Sequence, residues 1–98
     1  MKVEISKSNR NDKRFQAVFF DDNNKKIKTT QFGLKNPKIG TFIDHKNEKL
    51  KENYLKRHKK NENWNDYMTA GSLSRYILWN KKTFQDSLKD YKKLFKLK

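Results

Sequence analysis

At 98 residues the chain has the length of one domain, and the absence of cysteine excludes disulfides, iron–sulfur clusters and thiolate zinc sites. Only 33% of it is hydrophobic and 37% is charged, so an ordered core has to be built from the rings of seven Phe, four Tyr and two Trp. Twenty-five Lys and Arg against eleven Asp and Glu leave a formal charge of +14, beyond the magnitude of about 2–8 that keeps a small domain in solution, which points to an anionic partner.

The first third reads as strands. Val3 and Ile5 alternate with polar neighbours, and Arg14 to Phe20 puts Phe15, Ala17 and Phe19 on one face with Val18 and Phe20 on the other. Asp21 to Lys25 is a turn cluster, since Asx side chains bond nearby backbone and tolerate left-handed conformations. Lys26 to Phe32 is the return strand, ended by Gly33, so residues 1–33 are expected to form a three-stranded antiparallel β-meander. A connecting loop is placed at Leu34 to Phe42 around Pro37, the one proline, with a short strand from Ile39, Phe42 and Ile43 as an option.

The rest, residues 44–98, reads as three helices. Asp44 is placed as the cap of a helix from His45 to Lys60, with Leu50, Tyr54, Leu55 and His58 as its apolar stripe. The Asn61 to Asp66 run breaks it, and Trp64 is expected to pin that loop to the core. Thr69 or Ser72 opens a second helix to about Asn80, burying Leu73, Tyr76, Ile77 and Trp79. Thr83 with Asp86 opens the third, on which Phe84, Leu88, Tyr91, Leu94 and Phe95 repeat as one face. The predicted fold is a single small basic α+β domain.

No stretch approaches the ~18–20 apolar residues of a membrane span, and Met1 to Lys7 lacks an apolar signal core, so a soluble, non-secreted protein with no membrane partner is expected. Between Asp44 and Lys60 seven bases face three acids, and between Lys81 and Lys98 seven lysines face two aspartates. Such helices suit phosphate contacts, for which Lys56, Arg57, Lys59, Lys60, Arg75, Lys92, Lys93 and Lys96 are the candidates, against the plainer reading of solvated helix faces. Trp64, Tyr67, Tyr76 and Trp79 could stack on unpaired bases, but a chain so poor in aliphatics needs its rings inside. Ala70-Gly71-Ser72 could hold an anion at a helix start, or Gly71 could admit close packing of the Trp64 loop.

No catalytic or metal motif is present, and no cofactor is implied: HExxH and Gly-rich phosphate loops are missing. The pairs available to a metal-dependent nuclease are Asp44 with His45 and His58 with Asp66, and the reading is of a non-enzyme.

The stretch Arg57-His58-Lys59-Lys60-Asn61-Glu62-Asn63-Trp64-Asn65-Asp66, continued by Met68-Thr69-Ala70-Gly71-Ser72-Leu73-Ser74-Arg75-Tyr76-Ile77-Leu78-Trp79-Asn80-Lys81, resembles an uncharacterised family of small basic proteins found in giant DNA viruses. The Phe15 to Gly33 hairpin and Asp90-Tyr91-Lys92-Lys93 share the likeness, and Tyr67 stands where the family pattern has proline. The resemblance implies a viral origin and a place in the virion or the infected-cell interior, with no activity, cofactor or site residue attached. Charge and resemblance together lead to a nucleic-acid-binding, genome-associated accessory protein of low sequence specificity, with DNA ahead of RNA as partner. The alternative is a structural virion protein attached to an acidic capsid or core partner.

Overall fold

A computed structural model describes residues 1–35 and 40–98. Three strands, β1 (Lys2–Lys7), β2 (Lys13–Phe20) and β3 (Lys26–Leu34), form an antiparallel sheet in the order β1-β2-β3, the expected meander. The β2–β3 turn is closed by Asp21, whose Oδ1 accepts from the amides of Asn23 and Lys25, each at 2.9 Å; Asn24 takes the left-handed conformation at φ 62°. Gly33 does not end β3 but lies inside it at φ 78°, where a Cβ would come within 3.0 Å of Leu78 Cδ1. It serves close approach of strand and helix.

The expected loop at Pro37 and the start of the optional strand at Ile39 lie outside the described residues. Phe42 and Ile43 are helical, in α1 (Phe42–His45), and Asp44 is its third residue and not a cap. Thr41 is the N-cap, and the Asp44 carboxylate reaches back to the Thr41 amide at 2.8 Å. Arg14 of β2 grips the same carboxylate through both terminal nitrogens at 2.7 Å, tying α1 to the sheet. Lys46 at φ 57° ends this turn, and Asn47 caps α2 (Glu48–Lys59) by accepting from the amides of Lys49 and Leu50. One expected helix is therefore two, because Thr41 and Asn47 out-compete Asp44 as caps.

Thr69 caps α3 (Ala70–Leu73), which passes into a wide π-type turn over Ser74–Leu78, marked by the Trp79 amide donating to the Ser74 carbonyl at 3.1 Å. Thr83 caps α4 (Phe84–Leu94) as expected, accepting from the Asp86 amide. The α4 face departs from its periodicity at one point: Leu94 is 54% exposed. Lys96 is left-handed at φ 55°, and the Leu97 amide closes back on the Lys92 carbonyl at 2.8 Å, a Schellman-type stop that buries Leu97 in place of Leu94.

The core is the seam between the sheet and the helical layer. Val3, Ala17, Phe19 and Phe32 meet Leu73, Ile77, Leu78 and Tyr91, all at 1% exposure or less. Burial pushes the Tyr91 hydroxyl up in pKa, and it donates to the Tyr67 carbonyl at 2.6 Å. On α2 the stripe of Leu50, Tyr54, Leu55 and His58 is only half-buried except at Tyr54, which stacks on Trp79 at 4.4 Å and 4°.

The Arg14 guanidinium beside Asp44 holds its carboxyl well below the usual carboxylate range, outweighing the opposing effect of partial burial. The folded carboxyl binds protons more weakly than the unfolded one, so its contribution is full above about pH 4 and is lost as pH falls toward the lower folded value. Asp44→Asn is expected to cost about 1–2 kcal/mol at pH 7 in urea unfolding, with wild type and variant converging under acid. A gap as large at pH 2 as at pH 7 would contradict this account. Lys96→Gly is expected to stabilise the chain by up to about 1 kcal/mol in the same measurement, by removing a side chain from a left-handed position.

Candidate nucleic-acid interface

The last turn of α2 gathers Lys56, Arg57, His58 and Lys59, with Lys60 following, where the helix dipole is negative and cations are favoured. Lys56, Arg57, Lys59 and Lys60 are all exposed, and only Lys56 is offset locally, by Glu52 at 3.1 Å. Arg57 does more than face solvent. It lines two adjoining cavities of about 420 and 600 Å³ that share Arg57, Trp79 and Gly40 as walls. Lys56 and Asn53 line the larger, and Lys13 of β2 lines the smaller.

The rings beside these cavities form a row from α1 to the end of α2. Phe42 meets His45, His45 meets Trp79 at 5.5 Å, Trp79 stacks on Tyr54, and Tyr54 stacks on His58 at 4.2 Å. Tyr67 packs on Phe19 and Phe95, and Tyr76 on Tyr91 and Phe95. These rings are spent on each other. Trp64 is the exception, since it does not join the core cluster; its loop is pinned by Arg75, whose guanidinium lies 5.4 Å from the indole.

Arg75 is accordingly turned inward. Its guanidinium also lies over Tyr76 and donates to the Trp79 carbonyl at 3.2 Å, and burial lowers its pKa. The wide turn leaves the Trp79 carbonyl beside this side chain, four residues on. Lys51 plays a matching part, donating to the Asn80 carbonyl at 2.7 Å, and its pKa is lowered by burial and then by Arg75. Lys93 of α4 and Lys96 just beyond it are exposed and Lys92 is half-buried, and none of the three lines either cavity. The basic ends of α2 and α4 thus rest on different elements, and the first borders both of these cavities.

The carboxylates and histidines are taken up by local structure. His58 Nδ1 lies 3.1 Å from Glu62 Oε1, so its acidic neighbour is Glu62 and not Asp66, whose Oδ1 accepts from the Met68 amide. Glu62 also accepts from Trp64 Nε1 at 2.7 Å, and its carboxylate lies against Gly71, where a Cβ would come within 3.0 Å. Gly71 therefore admits the Trp64 loop, and an acidic side chain already occupies the place considered for an anion. His45 Nδ1 accepts from the Asn47 amide. Among the described residues no group of three or more His, Cys, Asp or Glu is placed to hold a metal ion.

Residues 3–58 match a family described as a family of unknown function (DUF5754), a span of more than half the chain running from β1 to the end of α2. It takes in the hairpin, but only two residues of the Arg57 to Lys81 stretch on which the resemblance to small basic proteins rests. No curated protein and no solved structure matches the chain.

Because Arg75 bridges Trp64, Tyr76 and a helix-end carbonyl, Arg75→Ala is expected to cost about 1–3 kcal/mol and to red-shift tryptophan emission, whereas Lys59→Ala should cost less than about 0.5 kcal/mol. Urea unfolding followed by fluorescence checks both, and an Arg75→Ala protein as stable as wild type would leave that guanidinium without a structural role.

Proposed function

The chain belongs to the DUF5754 family, whose function is unknown, and we propose that it is a non-enzymatic nucleic-acid-binding protein with little base specificity, meeting DNA in preference to RNA. The observation that carries this reading is the exposed basic end of α2, where Lys56, Arg57, Lys59 and Lys60 stand at a helix C-terminus beside concave surface. Clustered cations that outnumber their carboxylates bind a phosphate backbone through counterion release, which needs no base contact. Lys92 and Lys93 of α4, with Lys96 just beyond it, would add contacts from a second helix end. Arg75 is left out of the interface, since its guanidinium is engaged inside the fold. The role that fits is a genome-associated accessory protein of a giant DNA virus, in the virion or the infected-cell interior. Among the described residues no helix is long and apolar enough to cross a membrane.

One feature favours a second reading, a structural virion protein seated on an acidic capsid or core partner. Leu94 is 54% exposed on the same helix as Lys92 and Lys93, and an apolar contact ringed by cations suits a protein surface better than a phosphate backbone. Cross-linking in intact particles separates the two, by recovery mainly with DNA or mainly with a capsid or core protein.

Gel-shift titration tests the main reading. If about five phosphates are contacted, log K should fall with log salt at a slope near −4 to −5. Failure to bind DNA or RNA even at low salt would end the proposal.

A further inference from the structure

A third cavity, of about 360 Å³, opens at the far side of Lys13 and is lined by Lys7, Ser8, Lys13, Arg14, Phe15 and Lys35. No carboxylate is among these residues. The nearest acids are already committed: Asp44 is clamped by Arg14 at 2.7 Å, and Asp12 pairs with Arg10 at 3.2 Å. Among the described residues Lys7, Lys13 and Lys35 form no ion pair, and they reach the cavity from β1, β2 and the end of β3. The register explains the convergence. Lys7 stands opposite Phe15, Lys13 opposite Leu34, and the Lys35 amide donates to the Asp12 carbonyl, so three segments meet at one end of the sheet. Three like charges drawn to one concave place repel each other and focus a positive potential there, which an anion would relieve.

This cavity is not isolated. Lys13 is also a wall of the 420 Å³ cavity, which in turn shares Arg57 and Trp79 with the 600 Å³ one. The three therefore adjoin in sequence, with cations at each stage: Lys56 and Arg57, then Lys13, then Lys7 and Lys35. The acid along this row is Glu62, whose oxygens are held by Trp64 and face His58. Between the cations lie the apolar walls of Leu50, Trp79 and Phe15.

Resting on the nucleic-acid reading, we propose that this row is the track of a single nucleic-acid strand, its phosphates following Lys56, Arg57, Lys13, Lys7 and Lys35. Cavities of this volume admit one nucleotide at a time, whereas a duplex is too wide to enter any of them. A cationic groove with apolar walls is the arrangement by which strands are held without sequence readout. The main phosphate contacts then lie at this end of the sheet and the end of α2, and the α4 lysines stand outside the track.

The test is fluorescence anisotropy of the full chain with a labelled oligo-dT of about 15 nucleotides, and with the same strand in a duplex. Replacing Lys7, Lys13 and Lys35 together by Gln is expected to weaken single-strand binding about 10-fold or more and to flatten the salt slope by about 2. Replacing Lys25, Lys26 and Lys28 by Gln removes equal charge at the opposite end of the sheet and should change affinity less than about 3-fold. Equal losses from both triple variants would overturn the track and leave only net charge. Preference for the duplex would overturn it as well, with the wider reading intact, whereas a wild-type chain that binds neither form removes both. The pair Lys56→Gln and Arg57→Gln samples the other end of the row, with circular dichroism confirming the fold, and unaltered binding by that pair would also overturn the track.

Discussion

The fold depends on one apolar seam, in which Phe19 and Phe32 of the sheet close against Leu73, Ile77 and Leu78 with Tyr91 behind them. That seam has to hold together a chain whose charges repel one another, with few aliphatic side chains to draw on. Rings meet the need because each removes a large area from water, and because their edges and faces fit together at centroid spacings of 4.2 to 6.4 Å, as between Tyr67 and Phe95 at 5.4 Å. The Tyr91 hydroxyl that comes inside with its ring donates to the Tyr67 carbonyl.

Around the seam, basic side chains are used as joints. Arg14 fastens α1 to the sheet through Asp44, Arg75 fastens the Trp64 loop to the end of the wide turn, and Lys51 fastens α2 to Asn80. Each bonds a group that a helix end or loop would leave open, so the positive charge is partly structural and partly available to a ligand. Formal charge alone overstates what a partner can reach. The distinction explains why Arg75, which stands among good phosphate ligands in the sequence, is instead engaged by Trp64, Tyr76 and the Trp79 carbonyl.

The strands, the Asx turn and the α4 start were legible because their signals are local: alternation in Arg14 to Phe20, Asp21 beside Asn23, and Thr83 before a periodic face. The split between α1 and α2 was hidden because Asp44 is itself a good cap residue, and its true place was decided by Arg14, thirty positions away. Leu94 leaves the face that its spacing predicts because periodicity takes no account of the left-handed Lys96 that turns the chain and lets Leu97 in. At the candidate site, Lys56 and Arg57 could be read from the run of bases that ends α2. Lys13 could not, since nothing in the sequence brings β2 to that helix, and the convergence of Lys7, Lys13 and Lys35 depends on strand register. Trp79, expected to be buried, is half-buried, and its stacking on Tyr54 was not legible, since it requires α2 to fold back along the wide turn.

The scarcity of carboxylates beside the exposed lysines bears on more than recognition. With Lys2–Glu4 and Lys56–Glu52 as the lysine–carboxylate pairs among the described residues, the native state carries a self-repulsion that dissolved ions screen. Ionic strength should then act on this molecule in two opposed directions, firming the folded chain while loosening its grip on a polyanion. A bound polymer would do for the fold what salt does, by bringing fixed negative charge against the lysines, so occupancy would register as a rise in melting temperature.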